Sequence, residues 1–208
     1  MVAGATATVF PGIPWDSRLS TQNRNFCKVF RTAECYLGKY QTLSKENVMS
    51  GKTTNLTGGC ACGRIRYKLK NDPLIVHACH CRDCQRITGS AFVINIWIEK
   101  QFVETSSKAA PTSFRLAGGT GQGHEVYFCD RCGTYLWSDY HGAPNDAYFV
   151  RAGTLDKPES VTPDVHIFTR SKLPWVQLPK DAPAFKTFYP FPKIWSAESK
   201  ARLIRKAR

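Results

Sequence analysis

Seven of the nine cysteines fall into three tight clusters, Cys60-Ala61-Cys62, Cys79-His80-Cys81-Arg82-Asp83-Cys84 and Cys129-Asp130-Arg131-Cys132. Zinc takes four tetrahedral thiolate or imidazole ligands. A structural site draws all four from protein, and a catalytic site keeps one position open. Seven divides most simply into four plus three: one sealed zinc and one with a vacancy. Two closed sites, the second completed by His80 or His77, and a set of disulfides are the competing partitions.

Composition favours metal over disulfides. The chain has 208 residues, 42% of them hydrophobic, enough for one domain with a real core and some tail. It has no long apolar run of membrane-spanning length and no apolar secretory segment at its start. A reducing, cytoplasmic setting therefore fits, and there thiols stay free. Cys27 and Cys35 have no second cysteine at chelating distance and read as plain thiols. The formal charge of +13 divides as +3 over residues 1–49, +5 over 50–192 and +5 over the short segment 193–208. The densest excess is thus in the tail, and a solvated basic surface explains it more simply than a nucleic-acid footprint does.

Residues 1–48 carry no sustained hydrophobic period. They read as a disordered extension, as an organelle-targeting presequence that would make the protein mitochondrial, or as a segment ahead of a true start at Met49. The domain plan is then an extension over 1–50, a zinc domain over 51–192 and a basic C-terminal tail over 193–208. From Gly58 onward the signals are β. Ile65, Tyr67 and Leu69 alternate with Arg64, Arg66, Lys68 and Lys70, the pattern of a half-buried strand. Leu74–Ala78 is a short apolar run, and the β-branched and aromatic stretch 91–98 predicts a central strand. Further short strands are expected around Phe102, Phe114, Val126, Leu136 and Phe149. The glycine clusters at 118–123 and 142–145 mark turns. A short basic helix is expected from Ser196.

Position along this pattern sorts the cysteines. Cys60 and Cys62 precede the first strand, and Cys129 and Cys132 form a C-x-x-C-G knuckle between two others. Joining the first and third clusters would tie the ends of a sheet together, so these four are assigned to a structural zinc. A structural zinc contributes its binding energy directly to folding. Cys79, Cys81 and Cys84 lie close enough for one loop to wrap one ion, leaving its fourth position open. Arg82 and Arg86 flank this triad and could pair with carboxylates. His80 is expected to point away from its cysteine neighbours. Arg170, Lys172 and Trp175 could wall an anionic cleft.

The residues also resemble a known family. Gly59-Cys60-Ala61-Cys62-Gly63, Cys79 through Arg86, Gly89-Ser90-Ala91-Phe92, Phe128 through Gly133, and the stretch from His166 to Trp175 are similar to the glutathione-dependent formaldehyde-activating enzyme family, which also includes centromere protein V. The resemblance runs from about Leu56 to Tyr189. It implies an all-β, zinc-stabilised, β-tent-like fold of short antiparallel strands with few helices. It further implies two Zn²⁺ per chain, one of them catalytic on Cys79, Cys81 and Cys84, with glutathione as co-substrate. The reaction implied is condensation of glutathione with formaldehyde, classed as a carbon–sulfur lyase for its reverse direction. A non-catalytic zinc-built binding module that uses the basic tail on nucleic acid or microtubules is the alternative.

The chemistry is consistent with that implication. A free thiol is only a few per cent ionised near neutral pH, and zinc deprotonates it outright. The reactive fraction rises about thirtyfold, worth roughly 2 kcal/mol. Three thiolates already leave Zn²⁺ with a net charge of −1, so the site activates a sulfur nucleophile better than it polarises a carbonyl.

Overall fold

The computed structural model describes residues 56–117, 123–140, 146–191 and 193–206, which fall in one compact unit, Ser50–Arg208. The expectations for residues 1–50, for Cys27 and Cys35, and for most of the two glycine clusters lie outside the described residues. Among the described residues there are ten strands and two α-helices, so the fold is all-β with few helices, as expected. No helix among the described residues is long and apolar enough to cross a membrane.

Alternating apolar residues build a small sheet from β1 (Leu56–Gly59), β2 (Arg66–Leu69) and β5 (Val103–Thr105), in the order β1-β2-β5. Ile65, Tyr67 and Leu69 are each at most 1% exposed, while the basic residues between them reach solvent. The larger sheet has seven strands. It uses β3 (Ile75–Cys79), β4 (Val93–Glu99), β6 (Thr112–Leu116), β7 (His124–Phe128), β8 (Tyr135–Asp139), β9 (Ala147–Arg151) and β10 (Val165–Ile167). Their order is β10-β3-β4-β9-β8-β7-β6, and only the β10–β3 pair is parallel. β4 sits inside this sheet, as the run 91–98 predicts.

The strands β3 and β4 are buried on both faces, and period two separates what each face does. Val76, Ile96, Ile98 and Val150 join Ile65, Tyr67 and Leu69 in one core beneath the small sheet. Each fully buried aliphatic side chain there stabilises the fold by about 1.5–3 kcal/mol. On the opposite face lie Ile75, Cys79, Val93, Trp97 and Phe149, in a second core with Tyr189 and Trp195.

The chain after β10 supplies that second core. Trp195 is buried, and α2 (Ala197–Lys206) begins just beyond it. Arg202 of α2 donates through Nε to Glu99 Oε1 at 3.0 Å and through Nη1 to the Asp72 carbonyl at 2.8 Å. The basic segment is therefore anchored to the sheet through Arg202, and Glu99, 4% exposed at the end of β4, gains a cationic partner.

Candidate metal centres and the adjoining cavity

Two groups of sulfurs form, and they match the four-plus-three partition. In each group the Sγ atoms all lie within 4.8 Å of one another: Cys60, Cys62, Cys129 and Cys132 in one, Cys79, Cys81 and Cys84 in the other. Cys60 and Cys62 come from the β1–β2 connection and Cys129 and Cys132 from the β7–β8 connection, so the first group bridges the two sheets. Its spacings suit zinc. Sulfurs 2.3 Å from a tetrahedral centre stand about 3.8 Å apart, and Cys62 Sγ is 3.8 Å from Cys129 Sγ and 3.5 Å from Cys60 Sγ. Backbone geometry aims these thiols. The chain turns back at Gly63 (φ 74) and Gly133 (φ 69), a left-handed conformation that L side chains resist. Gly63 N–H donates to the Cys60 carbonyl at 2.9 Å, and Gly133 N–H to the Cys129 carbonyl at 2.8 Å. Ile65 N–H then donates to Cys60 Sγ at 3.2 Å.

The inner triad is built differently from the single wrapping loop expected. Cys79 ends β3, Cys81 caps α1 (Arg82–Thr88), and Cys84 stands in the first turn of that helix. The sequence reading missed α1, because seven residues are too short to show a helical period. Cys81 Sγ accepts the Cys84 N–H at 3.3 Å, so one of the helix's orphan donors meets sulfur. Hydrogen bonds from the Cys79 and Cys84 thiols, with those from backbone N–H groups, lower the Cys81 thiol to about 2. The same contact with Cys81 pushes Cys79 up.

His80, between two of these cysteines, does turn away from them. It is fully buried, with Nε2 3.1 Å from His166 Nδ1 on the parallel strand β10. Burial, reinforced by His166 and Lys172, lowers it to about 4, so it stays neutral. Gln85 completes the anchorage: its amide donates to the carbonyls of His80 and Ser171, at 2.8 and 2.9 Å.

The triad opens into a cavity of about 470 Å³, a size that suits a small organic ligand. Sheet register orders its floor in rows. Cys79 pairs with Val93; two residues along, His77 pairs with Asn95 and Asn95 with Arg151; two further, Trp97 pairs with Phe149. At about 3.3 Å per residue, the aromatic row lies about 13 Å beyond the sulfur row. Phe168 also lines the cavity, at φ 56, an uncommon backbone state for a bulky side chain.

Two residues of the middle row have their hydrogen-bonding directions fixed from behind. Trp195 Nε1–H can only donate, and it gives its proton to Tyr189 Oη at 2.7 Å. Tyr189 Oη stands 2.9 Å from His77 Nε2; its O–H needs an acceptor in this buried setting, and the tautomer in which His77 Nε2 accepts it carries the ring proton on Nδ1. Burial lowers His77 to about 3, so it remains neutral. Arg151, itself 4% exposed, donates to Asn95 Oδ1 and thereby leaves the Asn95 amide N–H₂ as the group still able to donate. Arg151 also donates to Ser138 Oγ at 2.8 Å and to Tyr135 Oη, while its Nε has no partner among the described residues. These bonds go to neutral oxygens, and its field acts on Cys84, His124 and Tyr140.

The flanking arginines separate. Arg82 stands at the cavity, where Gln85 Oε1 accepts from its Nη1 at 2.7 Å. Arg86 lies instead on a smaller depression of about 280 Å³ with Phe114 and His124. Arg170 lines the cavity from the turn Thr169–Ser171. Lys172 is occupied with the carbonyls of Leu173 and Val176, and Trp175 is 71% exposed and outside. Asn95, His124, Tyr140 and Arg151 had not been singled out. Asn95 did leave a signal, as the one amide in the apolar run 91–98.

The profile of the glutathione-dependent formaldehyde-activating enzyme family matches residues 55–171. The chain belongs to this family. The matched segment holds both sulfur groups and most of the cavity floor, and it ends in the turn that carries Arg170. A crystal structure of a Rhodobacter sphaeroides protein aligns at 22% identity, covering 51% of this chain and 91% of its own, with a TM-score of 0.39. No curated protein matches. Family membership supports a function related to glutathione and formaldehyde, with these two small molecules as its partners.

Proposed function

We propose that this protein is a zinc-dependent enzyme of the carbon–sulfur lyase type, which condenses glutathione with formaldehyde or acts on a related thiol adduct. The observation that carries the reading is the three-sulfur triad lining a cavity large enough for a small organic ligand. Cys60, Cys62, Cys129 and Cys132 would hold a structural zinc, and Cys79, Cys81 and Cys84 a catalytic one. The zinc domain is taken as 51–192 with 193–208 as its C-terminal extension, and the protein is placed in the cytoplasm, where thiols stay reduced.

Zinc on the triad supplies a fourth position at which a thiol is held as thiolate. The chain's own residues do the rest. Arg82, steadied by Gln85, and Arg170 face the cavity and offer guanidinium groups to glutathione carboxylates. The His77 Nδ1–H and the Asn95 amide are neutral donors in the row next to the sulfurs. They suit the aldehyde oxygen, which gains negative charge as sulfur attacks carbon. Being held from behind by Tyr189 and Arg151, they need no reorientation during the reaction. Holding both reactants in one cavity adds the advantage of proximity.

The test is zinc stoichiometry with X-ray absorption at the zinc edge, with and without glutathione. Two zincs averaging about three and a half sulfurs, rising towards four on adding glutathione, are expected. An unchanged four-sulfur average would count against the open site.

A further inference from the structure

The cavity is layered in a way that formaldehyde does not use. Three sulfurs lie at one end, two neutral donors in the next row, and an aromatic chamber beyond. Trp97 and Phe149 pack with ring centroids 4.8 Å apart, and Phe188 closes on His77 edge to face at 5.6 Å. Tyr140 meets Phe149 at 4.9 Å. Charged guanidinium groups are at Arg82 and Arg170, not in this chamber. A charged tripeptide matches the arginines and has nothing to gain from the aromatic rings. Formaldehyde, with hydrogen as its only substituent, cannot reach them.

We infer that the substrate is the hemithioacetal of glutathione with a larger apolar aldehyde, aromatic or medium-chain aliphatic, whose side group fills the chamber lined by Trp97, Phe149 and Phe188. This rests on the proposed glutathione chemistry and names its second reactant. The order of groups in such an adduct, R–CH(OH)–S–glutathione, follows the order of rows. Its sulfur falls at the triad, its carbinol oxygen one carbon away at His77 and Asn95, and its R group at the aromatic row. In the forward direction the S–H bond and the carbonyl π bond break, the S–C bond forms, and the π pair goes to oxygen, where it takes the thiol proton as O–H while the C–O σ bond is kept. The reverse direction returns thiol and aldehyde, so no oxidant or reductant is needed.

Phe188 is 38% exposed, so it can be truncated without opening the core. The experiment uses the zinc-loaded full chain and two readouts. Calorimetry compares S-hexylglutathione with S-methylglutathione, and exchange NMR compares phenylacetaldehyde with formaldehyde as partners of glutathione. A preference of at least about tenfold for the larger group is expected in both, with Phe188→Ala reducing that ratio severalfold. Equal binding of the two S-alkyl compounds, with formaldehyde turned over, would overturn the inference and leave the glutathione reading standing. A preference that Phe188→Ala does not alter would also overturn it, because the apolar group would then be bound elsewhere. Failure to bind glutathione or either S-alkyl compound would instead remove the reading on which it rests.

Discussion

Tyr189 Oη stands 2.9 Å from His77 Nε2 and joins the C-terminal segment to the row of donors in the cavity. Tyr189→Phe deletes the hydroxyl and leaves both the Trp195 N–H and the His77 ring nitrogen without their partner. A cost of about 1–3 kcal/mol in unfolding free energy is expected. The His77 ring should also lose its fixed tautomer, which ¹⁵N chemical shifts would show. A stable variant with an unchanged imidazole spectrum would argue against this relay.

The buried histidines make stability depend on pH with a definite sign. His77 and His80 are lowered to about 3 and about 4, mainly by burial, and His124 and His166 are lowered too. The unfolded chain binds these protons near 6.5, while the folded chain refuses them until well below that. Stability is therefore fully present above pH 6.5 and falls as the pH drops from there towards 4. Each such proton adds a slope of about 1.4 kcal/mol per pH unit. Denaturant midpoints of the wild type and of His77→Asn, compared between pH 7 and 4, isolate one proton's share, because metal and thiol effects are common to both. Parallel curves would refute the assignment.

The two sulfur groups should respond differently to serine. Cys129→Ser breaks the bridge between the sheets and should cost several kcal/mol, enough to unfold the domain at ordinary temperature. Cys81→Ser should leave the far-ultraviolet circular dichroism and most of the melting temperature intact, while abolishing adduct formation. Equal folding damage from both would defeat the division of labour.

Arg202 and Glu99 form a pair that is cheap to keep and costly to halve. Arg202→Ala leaves a carboxylate that is 4% exposed without its cation, and a loss of about 3–5 kcal/mol is expected. The double variant Glu99→Gln, Arg202→Met should recover much of that, as read from chemical denaturation. If the single and double variants lose the same stability, the pair is not the reason the segment is anchored.

The fold was legible in the sequence wherever period two met a single buried face, as at Ile65, Tyr67 and Leu69. Stretch 91–98 was legible as a strand but not as two faces, because Ile96 and Trp97 are both apolar and point opposite ways. The zinc-ligand candidates were legible because chelation needs short spacing, which sequence displays directly. The cavity was not. Arg151 and Asn95 are 56 residues apart and meet only through the β4–β9 register. Tyr189 reaches His77 across 112 residues. Pairings of that kind are set by topology, and His166 likewise needed the parallel β10–β3 contact to find His80.

The ligand sets are nested along the chain: Cys60 and Cys62 come first, the whole triad follows, and Cys129 and Cys132 come last. During synthesis the inner triad is therefore complete, and able to compete for metal, well before the outer four can assemble. A cation captured early by Cys79, Cys81 and Cys84 could also draw in Cys60 or Cys62, which are already available, and so mispair the two sites. Loading order becomes a folding problem, and refolding the full-length chain with metal added at the end, after the distant knuckle is present, should give a better yield of correctly metallated protein than loading during translation.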